Sequence, residues 1–237
     1  MMRVAIHQPQ FLPWLGYLDK IDQADLFVVL DNVQFKKNEW QNRNRIRTSQ
    51  GWQWLTVPVL HAFGQRIMDT PINQTVDWQG KHLRAVEMHY ARAAHRDRFM
   101  EGLRELYRRP WERLSELNLA VLKWLLEAFG ITTPLRLASE MSLRDDPTDR
   151  LIDICRAAGA THYLAGSGGT AYMDVPRFEA SGVILEVQDF RHPVYPQCYE
   201  PFIPGMAAID LLFTSGDDAL RQLREARRTP ARSMSAG

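Results

Sequence analysis

The chain has 237 residues, with 29 lysines and arginines against 28 aspartates and glutamates, for a formal net charge of +1. Its 45% hydrophobic and 24% charged residues fit a packed globular domain and exclude a disordered or fibrous chain. Near-neutrality supplies no bulk field to gather DNA or anionic lipid, so neither nucleic acid nor a membrane is an expected partner and any anion site must be local.

Arg3 to His7 reads as a short apolar strand, which Pro9 stops because proline cannot donate to a ladder and pushes Gln8 toward extended geometry. Pro13 suits the first turn of a helix through Leu15, Leu18 and Ile21. Leu26 to Leu30 is then a continuous β-rich run of the kind buried in parallel sheets. Beyond Asp31, the stretch DNVQFKKNEWQNRNRIR and the segment Trp52 to Val59 predict a β-hairpin turning at Ser49-Gln50-Gly51. From Asp77 the period becomes helical. Leu83, Val86 and Tyr90, then Phe99, Leu103 and Leu106, then Leu114, Leu117, Val121 and Leu125 mark three helices, the last ended by Gly130, so roughly residues 78–130 form a helical insertion.

After Pro134 the α/β rhythm returns with a strand near Leu135 to Ala138, a helix from about Thr148 to Ala158 and a strand from His162 to Ala165. Val183 to Val187 is the last clear strand, and Ile209 to Phe213 opens an Arg-rich terminal helix. The expected fold is a single α/β domain over residues 1–230 with a mostly parallel, Rossmann-like sheet, followed by a disordered tail at 231–237. Cys155 and Cys198 are too few for a disulfide framework and lack metal-ligand spacing. A cytoplasmic location without a metal is therefore expected, in keeping with the absence of a signal peptide or a long apolar run.

Four constellations can carry chemistry. In HQPQFLPWLGY, His7 ends the first strand, where it could act as general base or donate to an anion, or serve as a structural residue in a tight turn. The motif loosely resembles the first motif of HIGH-type nucleotidyltransferases, with Tyr17 where that motif has a second His. The run from Asp31 to Arg47 gathers Gln34, Lys37, Trp40, Asn42, Arg43 and Arg45, amides and guanidiniums able to clamp a carboxylate or phosphate beside a stacking wall. In GSGGTAYMD, Gly166 lets the backbone approach a ligand, with Tyr172 and Asp174 nearby. Finally, FRHPVYPQCYEPF offers His192, Tyr195 and Gln197 as a pocket wall. Cys198 there is a conceivable nucleophile, though free cysteines are most often inert.

These motifs, with FIPGMAAIDLLFTSG, resemble the WbqC-like protein family from Arg3 to about Gly216. The resemblance implies a biosynthetic transferase of surface-polysaccharide or natural-product pathways, moving an aminoacyl or acyl group such as glycyl from a carrier-protein thioester to an amine or amino sugar. It implies no bound cofactor beyond the carrier's phosphopantetheine arm. Under it, His7 is the base, Asp31 its orienting partner, and Gln8, Gln34 and Asn42 the oxyanion or substrate donors. Lys37, Arg43 and Arg45 form the anion clamp. Pro9, Tyr17, Trp40 and Gly166 line the substrate, and Tyr172, Asp174, Tyr195 and Gln197 close the pocket. Relatives carry Ser-Ile/Leu-Asp before the closing helix, where this chain has Ala208-Ile209-Asp210. Two alternatives stand beside this one: a nucleotide-binding or nucleotidyltransferase-like enzyme using the same His and basic loop, and a non-catalytic carrier-docking protein.

Overall fold

The computed structural model describes residues 1–169 and 173–228, so Tyr172 and the tail at 231–237 lie outside the described residues. β1 (Arg3–His7), α1 (Leu15–Asp22) and β2 (Leu26–Val29) form the opening unit. β3 (Arg43–Thr48) and β4 (Gly51–Thr56) pair antiparallel as a separate hairpin, with Arg43 opposite Thr56 and Thr48 opposite Gly51. α2 (Trp78–His89), α3 (Arg96–Arg108) and α4 (Leu114–Phe129) follow, and α4 stops where Gly130 turns left-handed at φ 74°. The remainder is β5 (Leu135–Leu137), α5 (Pro147–Ala157), β6 (His162–Ala165), α6 (Val175–Ala180), β7 (Ile184–Val187), α7 (Ile209–Ser215) and α8 (Ala219–Arg228).

The main sheet has five parallel strands in the order β5-β2-β1-β6-β7, flanked by helices, as expected for a Rossmann-like α/β domain. Strand alternation divides two cores. Ala5, Phe27 and Val29 face α1 and the helical insertion, while Val4, Ile6, Leu26 and Val28 face α5 and α6, among them the buried Cys155, whose thiol burial pushes up to about 12.

Two elements differ from expectation. A short helix, α6, follows the glycine-rich loop, because Asp174 accepts from the Arg177 amide as an N-cap and Pro176 fits the first turn. The terminal helix is broken between α7 and α8 at Gly216 (φ 57°, ψ −129°), where an added Cβ would lie 2.6 Å from His95 Nδ1. α8 lies against α1, with Arg227 2.6 Å from Asp19 and Arg224 2.7 Å from Asp22. As a result every residue of α1 from Leu15 to Ile21 is buried, including Asp19 and Lys20.

From β1 the chain crosses through α1 to β2 on one side, and β6 arrives on the other. The strand order therefore reverses between β1 and β6. A crevice opens there beyond the C-terminal ends of the strands, the position at which open α/β sheets bind ligands.

Candidate functional site at the strand-end crevice

His7 closes β1 at this crevice. Its Nδ1 lies 3.0 Å from the Gln8 carbonyl, which can only accept, so Nδ1 carries the proton and Nε2 the lone pair. The Tyr17 hydroxyl donates to the same carbonyl at 3.1 Å, and its ring meets the imidazole edge-on at 5.0 Å, fixing the histidine's orientation. Burial, reinforced by the nearby Lys20 charge, lowers the His7 imidazole to about 3, leaving it neutral at physiological pH.

The amide-rich run after β2 supports this turn. Gln41 Nε2 donates to Gln8 Oε1 at 2.7 Å, and Gln41 Oε1 accepts from the Lys36 amide at 2.9 Å. Phe11 N donates to Trp40 O, and Asn44 Nδ2 to Leu12 O at 2.6 Å, tying down a loop in which Leu12 adopts φ 43°. Such a left-handed, non-glycine residue is strained and persists only where its surroundings hold it. The Gln8 Nε2 amide has no partner among the described residues.

Lys20 forms the floor. It is 2% exposed, and its Nζ donates to the Ile6 carbonyl at 2.8 Å; burial lowers the ammonium to about 7. A cavity of about 720 Å³ runs from Lys20 and the glycines at 166, 168 and 169, past His7 and Gln8, to Gln34, Lys36 and Trp40. Three smaller cavities also reach His7: one over Gly166 to Gly168, one beside Gln41, and one beside Gln10, Trp14 and Arg45. In the last of these, Gln10 Oε1 and Arg45 Nε are buried without partners among the described residues.

The structure thus brings together His7, Gln8, Tyr17, Gln34, Trp40, Arg45 and Gly166, with buried Pro9 shaping the turn. Other expected members are placed elsewhere. Asp31 does not orient His7; its carboxylate accepts from Ser139 N at 2.9 Å and Ser139 Oγ at 2.7 Å, because β2 lies between β1 and β5 and its end faces the turn after β5. Asn42 is buried and gives its amide to Val57 O at 3.0 Å, so it is no substrate donor. Lys37 is exposed and lines none of these cavities. The Arg43 guanidinium covers Trp54 at 4.2 Å, and Arg45 stacks near Trp52 at 5.1 Å while donating to Gly205 O at 3.1 Å.

Asp174 caps α6, as above. Tyr195 and Gln197 do not close the pocket; both donate to the buried Asp210, at 2.8 Å and 2.7 Å, and Tyr90 donates to the other Asp210 oxygen at 2.8 Å. Burial raises the Asp210 carboxyl despite these donors. His192 accepts the Gly205 amide on Nε2 at 3.0 Å and gives Nδ1–H to Pro193 O at 2.8 Å, a structural pairing that leaves it no part in activating Cys198, whose thiol burial raises. Ala208 sits fully buried at the N-cap of α7, so a hydroxyl at that position belongs to a helix start and not to the crevice. Among the described residues no group of three or more His, Cys, Asp or Glu could hold a metal, and no helix is long and apolar enough to cross a membrane.

The WbqC-like protein family model matches residues 8–222. The chain belongs to this family. A protein of Mycobacterium tuberculosis (strain ATCC 25618 / H37Rv) named "Uncharacterized protein Rv1507c" is 38% identical over 231 residues, covering 96% of this chain and 100% of its own length. No solved structure matches the chain. The matched span of the WbqC-like domain begins at Gln8, at the turn that holds His7, and runs through both glycine-rich and hairpin segments into α8.

Sequence reasoning missed Lys20. The signal for Lys20 was present: it lies in a short helix between two strands with apolar centres, where a cation has little room to reach water.

Proposed function

We propose that this WbqC-like protein is a biosynthetic transferase that moves an aminoacyl or acyl group, such as glycyl, from a carrier-protein thioester to an amine acceptor such as an amino sugar. The observation that carries this reading is a neutral His7, with Nε2 unprotonated, at the point where the crevice cavities meet. The amine nitrogen attacks the thioester carbonyl carbon and forms the C–N bond. Gln8 Nε2 donates to the developing oxyanion, and His7 Nε2 takes the proton from nitrogen. The C–S bond then breaks, and His7 returns the proton to sulfur, giving an amide and the free carrier thiol. An anionic donor offsets the Lys20 charge that depresses His7, strengthening the base once substrate is in place.

With a glycyl-loaded carrier and an amino sugar, His7→Ala is expected to slow amide formation by roughly 10²–10⁴ while far-UV circular dichroism is unchanged. Wild-type turnover in that variant rejects the assignment. A second reading, nucleotide binding at the same crevice, is favoured by the sheet order and the switch-point position. Thermal-shift titration with nucleoside triphosphates, with and without Mg²⁺, tests it; a ligand at 100 times its Kd adds about 2.7 kcal/mol to the native state.

A further inference from the structure

We propose that Lys20 and the loop at 166–169 form a seat for a phosphoryl group at the floor of the crevice. This goes beyond the transfer reading, because the seat serves a carrier's phosphopantetheine or a nucleotide equally, and its chemistry does not depend on which reaction occurs above it.

The ammonium of Lys20 is a buried cation with a single acceptor, the Ile6 carbonyl at 2.8 Å, for three donors, and it forms no ion pair with a carboxylate among the described residues. Other buried charges here are ion-paired or take more than one hydrogen bond. Asp19, its neighbour in sequence, meets Arg227 at 2.6 Å, and Asp31 accepts twice from Ser139. An unpaired charge out of water is costly, so Lys20 stands out as a group awaiting an anion.

The opposite wall is built to admit one. A Cβ added to Gly166 would lie 4.0 Å from Lys20 Nζ, so any larger side chain there would fill the gap, and a Cβ on Gly168 would meet nothing within 4 Å. The Ser167 and Gly168 amides have no partner among the described residues, whereas Gly169 N donates to Gly166 O at 2.8 Å. A tetrahedral oxyanion can accept from the ammonium and from loop amides at once, with more oxygens than a carboxylate offers to two walls.

The surrounding charges agree. The groups facing this cavity are His7 from β1, Tyr163 from β6, Arg150 from α5, Lys36 and Glu39 from the loop after β2, and Asp189 after β7. Asp189 is turned to Arg191 at 3.0 Å and Arg150 to Asp145 at 3.7 Å, leaving Glu39 as the one carboxylate beside the two lysines, Lys20 and Lys36. Burial lowers the Lys20 ammonium to about 7, so its charge gives way near neutral pH. An arriving phosphoryl anion favours the charged ammonium, so binding takes up a proton.

The test is calorimetric titration of the full chain at about pH 8 with 4′-phosphopantetheine against pantetheine, adenosine monophosphate against adenosine, and inorganic pyrophosphate. Pyrophosphate is expected to bind. At least one phosphorylated probe is expected to bind about tenfold or more tightly than its dephosphorylated form, a charge-assisted contact's contribution. Heats in buffers of different ionisation enthalpy should show proton uptake. Lys20→Met is expected to abolish both the preference and the uptake. Gly166→Val, which fills the gap from the other wall and leaves Lys20 in place, should weaken phosphate binding in the same direction. Equal affinity for paired probes, no binding of pyrophosphate, or a preference retained in Lys20→Met overturns the seat. A seat that takes only the nucleotide leaves this proposal standing and removes the carrier reading, so the two fail separately.

Discussion

Arg47 shows how a residue in a basic run can be wholly structural. It is 1% exposed, and all five of its N–H donors are used, on Gln197 Oε1 and on the carbonyls of Thr48, Gly51, Tyr199 and Pro201. Gln197 then passes to Asp210, linking a buried cation and a buried carboxyl through one amide. Arg47→Lys keeps the charge but supplies three donors for five acceptors. It is expected to cost about 2–4 kcal/mol, read as a lower urea midpoint with unchanged slope. At this scale the sequence was half legible. His7 could be found because a strand followed by proline places its last side chain at the strand end. The partners of Asp31 and Gln197 could not, because Ser139 and Arg47 are brought in from 108 and 150 residues away.

Among the elements, the hairpin and the turn at Gly205 work together. Gly205 has φ 74°, and an added Cβ would lie 2.8 Å from Arg45 Nη2, the group that donates to the Gly205 carbonyl. Gly205→Ala is therefore expected to lose about 1–2 kcal/mol from backbone strain, and to displace Arg45 from the crevice, visible as altered tryptophan fluorescence from Trp40 and Trp52. Periodicity revealed the strands and long helices, since each carries enough apolar residues to show its repeat. α6 escaped because it has six residues, too few for a period. Its sign was instead the cap, Asp174 with Pro176, read in sequence as a pocket carboxylate. The break between α7 and α8 escaped for a different reason: His95, which crowds Gly216, comes from the N-cap of α3 and is invisible locally.

For the molecule as a whole, buried histidines set the acid limit. The unfolded chain protonates His7 and His82 near 6.5, whereas burial lowers them to about 3 and about 4 in the fold. Between those values the unfolded state binds more protons, so stability falls as pH drops from about 6.5 toward 4. His82→Gln, replacing a ring that bridges Thr56 O and the Tyr107 hydroxyl, should flatten that fall in urea midpoints measured across this range. Lys20 has the same sign at higher pH. Its pKa is lowered from 10.5 to about 7, so stability rises with pH across that interval, and Lys20→Met should remove the slope.

The sheet order also sets when the crevice can exist during synthesis. β1 pairs β2 almost at once, but its other neighbour, β6, begins at His162, beyond the whole helical insertion. A nascent chain that has emerged through α4 already carries His7 and Lys20, yet β1 has an open edge and the wall at 166–169 has not been made. The crevice is therefore complete only once β1 pairs with β6, a contact that spans more than 150 residues of sequence.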